Sequence, residues 1–263
     1  METNKINILK NAMETMNTIL QHRSIRKYKS TKIEDAILNQ ILEAGFRAST
    51  TGNMQVYSII VTKDADRKKE LCKLHFGQKM VEEAPVTLTF LADFNRFNKW
   101  CNQRDAVPGY DNFLSFMTGA IDALLAAQNV AIAAESFGLG ICYLGTTTYM
   151  ADKINEFFNC PKGVVPIATL VVGYPDEYPE PVDRLPYNGI VHNEYYQDYT
   201  KQSIDDIYKE KESLKLTKEL IIINQLENLA QIFTNKRYTK TDNVMFSQSL
   251  LKVLEDAGFM NNI

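Results

Sequence analysis

The run His22-Arg23-Ser24-Ile25-Arg26-Lys27-Tyr28 gathers four side chains able to carry positive charge around the Ser24 hydroxyl, in a chain of formal net charge −3. Like charges held this close repel each other, and an anion beside them removes the repulsion. Phosphate suits the set. A guanidinium offers a planar fork of donors to two phosphate oxygens at once, and Ser24 adds a neutral donor. A solvated basic turn after a helix explains the same residues, because charge clusters are common on protein surfaces.

No other stretch announces a reaction by itself. The three histidines, His22, His75 and His192, lack metal-ligand spacing, and no H-E-x-x-H occurs, so no metal site is expected. No G-x-S-x-G is present, and Cys72, Cys101, Cys142 and Cys160 stand apart without a C-x-x-C. Reduced thiols are expected rather than zinc or disulfides. Gly138 and Gly140 followed by Gly145 come in the wrong order for a dinucleotide fold, after a helical stretch and before a strand-like one. Gly145-Thr146-Thr147-Thr148 sets a glycine and three hydroxyls at a strand end, where backbone donors can approach a ligand. If such a chain is an enzyme, a bound cofactor carries the chemistry.

The elements that must position these residues follow from periodicity. Apolar residues at helical spacing predict helices over about 6–20, leading into the basic run, and over 34–47, 64–75, 113–137 and 151–158. β-Branched and apolar runs predict strands at 56–61, 86–92, 139–144 and 166–172. A polar loop, 49–55, separates the second helix from the first strand, and 93–112 is expected to be a loop because no period emerges. The helix at 113–137 is alanine-rich and apolar on most faces, which predicts burial in a core or a subunit interface, and Gly138 caps it. Its Asp122, Gln128, Asn129 and Glu135 argue against a membrane span. The proline-rich stretch 174–186 is expected to run extended over the surface, and a helical tail begins after Tyr199. At 263 residues and 45% hydrophobic, the chain can bury one sizeable core with additions. A pI near 5.7 disfavours general nucleic-acid binding. The N-terminal residues lack a secretory pattern, so a cytoplasmic location is expected.

Eight segments carry a resemblance. They are His22-Arg23-Ser24-Ile25-Arg26 after an N-terminal helix, Ser49-Thr50-Thr51 ahead of Gln55, Phe76-Gly77-Gln78-Lys79 and Ala92-Asp93-Phe94-Asn95-Arg96. Ala127-Gln128-Asn129, Ala133-Ala134-Glu135-Ser136, Tyr143-Leu144-Gly145 and Arg184-Leu185-Pro186 complete the order. In this order they resemble the nitroreductase family over nearly the whole chain, and more narrowly its NADPH-using, oxygen-insensitive nitroreductases and NADPH–flavin oxidoreductases. The resemblance implies an α+β fold, with a central mixed, largely antiparallel sheet flanked by helices. It also implies a homodimer, an FMN-binding core over 1–200, and a helical C-terminal extension over 201–263 that contacts NADPH and the partner subunit.

It further implies FMN as cofactor. His22, Arg26 and Arg184 would neutralise a phosphate carrying about two negative charges, while Arg23 and Ser24 contact phosphate, ribityl or ring edge. Ser49, Thr50, Thr51, Gln55, Gln78, Tyr143, Leu144, Gly145 and Thr146 would hold the flavin ring. NADPH, or NADH, would deliver a hydride to flavin N5, with Lys236 and Arg237 meeting the 2′-phosphate of NADPH. A nitroaromatic, quinone or free flavin then takes the same place, which is ping-pong turnover without a catalytic side chain or a metal. No nucleic-acid or membrane partner is implied. Two departures stand out: Val182 occupies a position where the family commonly has lysine, and Lys236 is a poorer phosphate fork than arginine. A non-catalytic flavin-binding sensor or FMN carrier would use the same residues.

Overall fold

Runs of β-branched and aromatic side chains build a four-stranded sheet, as their preference for a pleated, buried surface requires. A computed structural model of the chain describes residues 14–261. The strands are β1 (Tyr57–Thr62), β2 (Val86–Asp93), β3 (Gly140–Leu144) and β4 (Val164–Gly173), in the order β1-β2-β4-β3 with every pair antiparallel. The two central strands, β2 and β4, are buried at every residue. β4 begins earlier than its sequence suggested and contains Pro166, which has no N–H to give a ladder. The register shifts between Phe90 and Leu91 where Pro166 pairs, so the proline sits at an irregularity.

Helical residues 14–20 (α1) precede the basic run; the expected helix before residue 14 lies outside the described residues. Next come α2 (Asp35–Gly45), α3 (Ala65–Leu74), α4 (Met80–Glu83), α5 (Asn95–Asn102) and α6 (Phe113–Ser136). α7 (Thr146–Tyr149) and α8 (Ala151–Phe157) follow β3, and α9 (Lys201–Ser213), α10 (Lys215–Asn224), α11 (Leu229–Ile232) and α12 (Lys240–Asp256) complete the chain. α6 is the pivot. Asn112 caps its N-terminus by accepting from Ser115 N, and Ala120, Ala123, Ala126, Ala127, Ala131 and Ala134 bury its inner face against β2 and α2.

Two expectations need correction. The 93–112 stretch is not all loop. Phe94 and Cys101 are buried, Phe97 packs beside Phe94, and this one-face spacing makes α5. Phe94 stacks on Tyr110 at 5.2 Å, so the aromatics that blurred the period hold the segment down. The strand-end hydroxyls after Gly145, for which the sequence predicts no helix, are the second: Thr146–Tyr149 close one helical turn, α7, with the Thr147 hydroxyl donating to Leu144 O at 2.9 Å.

The chain divides into two compact units, one running to Glu180 and resuming at Phe246, the other spanning Pro181–Met245. The first holds the sheet. Val253, Leu254 and Phe259, in and just after α12, belong to its hydrophobic core. The second is helical, with Ile207, Leu229 and Ile232 buried.

Candidate functional site

The basic run is held in place by its apolar members. Ile25 and Tyr28 are buried, and Ile25 N donates to Ile141 O at 2.9 Å while Ser24 forms a parallel bridge with Ile141. A β-carbon on Gly140 would lie 2.6 Å from Ile25 Cγ1, so only glycine lets the run lie this close to β3. Two carboxylates complete the fixing. His22 Nδ1 pairs with Glu135 Oε1 at 2.6 Å, and Glu177 Oε1 accepts from Arg26 N at 2.7 Å and Lys27 N at 3.2 Å. Burial raises the Glu135 carboxyl, with His22 and Arg23 beside it pulling the other way. Arg23, half-buried, donates to Pro179 O at 3.2 Å. Arg26 and Lys27 are exposed, and among the described residues no carboxylate pairs with either side chain.

β3 runs from this basic segment to a second polar cluster. Gly145 is exposed, with nothing within 4 Å of where a side chain would project. Thr146, on α7, meets Gln78 and His75: Gln78 Nε2 donates to Thr146 Oγ1 at 3.4 Å and to His75 O at 3.1 Å. His75 Nδ1 lies 2.7 Å from the same hydroxyl. Phe76 and Gly77 take the left-handed backbone, φ 57° and 70°, that turns the chain between His75 and Gln78. Gly77 adopts it at no steric cost. From Ile141 to Thr146 is five residues, at most about 16 Å along an extended chain. An elongated ligand with an anionic tail and a polar-edged head matches that separation.

The loop 49–55 is clamped from both sides. Asp122, fully buried on α6, accepts from Thr51 N at 3.0 Å and Val56 N at 3.3 Å. Arg96 donates to the backbone carbonyls of Gln55 and Tyr57. Ser49, Thr51 and Gln55 are exposed and Thr50 is partly so. Gln55 lines a groove of about 560 Å³ with Met54, Ser58 and Arg96. On β3, Tyr143 is half-buried and Leu144 buried. Burial pushes the Tyr143 phenol well above its ordinary range.

Three expected residues lie in the second unit. Arg184 is exposed and donates to Val182 O and Asp183 O, both at 3.0 Å. Lys236 and Arg237 are exposed on a widened helical turn, Phe233–Arg237, with the Arg237 guanidinium 5.7 Å from the Phe233 ring. The structure thus brings Gln78 together with Thr146 and sets Ser24 beside β3. Sequence reasoning missed the work of Asp122, Arg96, His75 and Glu177. Asp122 carried a signal, an acidic residue within an apolar helix, and His75 adjoins the Gly77-Gln78 segment.

The model of the nitroreductase family matches residues 19–174. The chain belongs to the nitroreductase family. It is 34% identical over 209 residues to "FMN reductase (NADPH)" of Bacillus subtilis, covering 75% of this chain and 84% of that one. It is 35% identical over 197 residues to the "NADPH-flavin oxidoreductase" of Vibrio harveyi, covering 73% and 78%. A crystal structure from Bacteroides fragilis, 53% identical, superposes with TM-score 0.92 over 93% of this chain and 100% of that one. The NADPH:FMN oxidoreductase of Vibrio harveyi in complex with NAD+, 28% identical, gives TM-score 0.80 over 95% and 100%.

Proposed function

We propose that this nitroreductase-family protein is an FMN-dependent oxidoreductase that uses NADPH, or NADH, to reduce flat electron acceptors. The observation that supports it most is the placement of Arg26. Its backbone is pinned by Glu177 while its guanidinium stays without a described carboxylate, beside the strand whose other end carries Gln78, Thr146 and the open Gly145. These residues fit FMN. Arg23, Ser24 and Arg26 would hold the phosphate end. Gln78, Thr146, Gly145 and Tyr143 would hold the ring edge, and Ser49, Thr50, Thr51 and Gln55 add polar contacts from the clamped loop. His22, its Nδ1 oriented by Glu135, would add to the phosphate end through the rest of its ring.

FMN, when bound, supplies hydride acceptance from the reduced nicotinamide and electron donation to an acceptor. The protein's part is binding, orientation and polar donors at the ring. One cleft serving donor and acceptor in turn gives ping-pong kinetics, and a site that selects for planarity takes nitroaromatics, quinones and free flavin alike. Lys236 and Arg237 would meet the 2′-phosphate of NADPH. A homodimer is supported by α6: Leu114, Met117, Ile121, Leu124 and Leu125 form an exposed apolar stripe along it, more than an isolated surface helix ordinarily shows.

The test is direct. Reconstituted protein should bind FMN stoichiometrically and oxidise NADPH with nitrofurazone or menadione as acceptor, giving parallel double-reciprocal lines. Protein that takes up no FMN and turns over no NADPH refutes the reading.

A further inference from the structure

His75 is fully buried, yet only one of its ring nitrogens has a partner among the described residues. Nδ1 meets Thr146 Oγ1 at 2.7 Å; Nε2 meets nothing. Burial keeps the ring neutral, pushing its pKa down to about 4. One nitrogen therefore bears a hydrogen and the other a lone pair. A buried N–H left without an acceptor is rarer in folded proteins than an acceptor left short of donors. The hydrogen accordingly belongs on Nδ1, donated to Thr146. Gln78 Nε2 donates to that same oxygen. A threonine hydroxyl accepts at most two hydrogen bonds and donates one. With both acceptor sites filled from inside the protein, the hydroxyl proton of Thr146 is left to donate outward, next to the unobstructed Gly145.

We propose that His75 is a positioning residue that commits Thr146 to donating its hydroxyl proton to the flavin ring, an inference that rests on the flavin reading above. Were His75 an acceptor at Nδ1, the same proton would turn inward and the cofactor would lose the donor. A donor fixed at the ring favours the more negative, reduced cofactor over the oxidised one.

Two polar replacements separate this from a packing role. His75→Asn keeps an amide N–H near the place of Nδ1, whereas His75→Gln moves it toward the place of Nε2. Thr146→Ser keeps the hydroxyl and Thr146→Val removes it. The readouts are the FMN dissociation constant by fluorescence quenching, the midpoint potential of bound FMN by anaerobic titration, and thermal melts. His75→Gln and Thr146→Val should each weaken the preference for reduced FMN about tenfold, a potential lower by about 30 mV for a two-electron couple. The double variant should fall no further. His75→Asn and Thr146→Ser should stay near wild type. Wild-type protein that binds FMN, with folded His75→Gln and Thr146→Val variants at the wild-type potential or with losses that add in the double, overturns this inference alone. Wild-type protein that binds no FMN overturns the flavin reading and this inference with it.

Discussion

Glu177 holds two backbone N–H groups, and among the described residues the Arg26 guanidinium has no ion-pair partner of its own. Arg26→Ala should weaken FMN binding by tenfold or more, and Arg26→Lys should recover only part, because an ammonium lacks the planar fork; fluorescence titration checks both. His75 gives a pH dependence whose sign can be worked out. Its pKa falls from 6.5 to about 4 on folding, so the unfolded chain binds the proton first as pH drops. The stability this residue contributes is complete above pH 6.5 and drains as pH falls toward 4, by about 3 kcal/mol at most. Urea unfolding at pH 7 and 4.5 should show wild type losing more than His75→Asn; equal losses would remove the assignment. The basic run was legible in the sequence because its chemistry is contiguous. The partners were not: Glu135 lies 113 positions from His22, Glu177 lies 151 from Arg26, and Asp122 lies 71 from Thr51. Only folding brings these carboxylates to their donors.

Among the elements, α6 presents two different faces, one buried and one exposed and apolar. Its inner face carries Asp122, which accepts from Thr51 N in the 49–55 loop and from Val56 N just after it. Asp122→Ala leaves both without an acceptor and should cost about 3 kcal/mol in chemical denaturation, with faster proteolysis in 49–55. Its outer face should carry the partner subunit. Leu124 is 47% exposed, so Leu124→Glu should convert dimer to monomer in sedimentation while leaving secondary structure intact; a persistent dimer counts against that face. The four strands could be read from composition because β-branched runs have few other uses. α5 could not, since its buried face is three aromatic and thiol positions in a polar stretch. α7 could not either: a single turn of threonines has no period, and its helicity comes from capping β3 rather than from propensity.

The molecule as a whole is two units threaded by one chain that leaves the first at Glu180 and re-enters it at Phe246. Phe259 is fully buried in the first unit's core, so Phe259→Ala should destabilise the protein by about 3–5 kcal/mol, measured by calorimetry. In the second unit, Arg237→Ala should raise KM for NADPH far more than for NADH, and equal changes would sever Arg237 from the 2′-phosphate. The sequence places a helical tail beyond Tyr199, and helices α9 to α12 lie there; the return of α12 into the sheet's core was not legible. Val253, Leu254 and Phe259 look in sequence like any amphipathic tail, and only the space left beside Phe94 and Phe116 decides where they go. That re-entry has a practical corollary. A single nick between Pro181 and Thr239 cuts the polypeptide ahead of α12, but the last helix stays anchored by its buried side chains. The two pieces, made separately, should therefore find each other again and act as complementing halves.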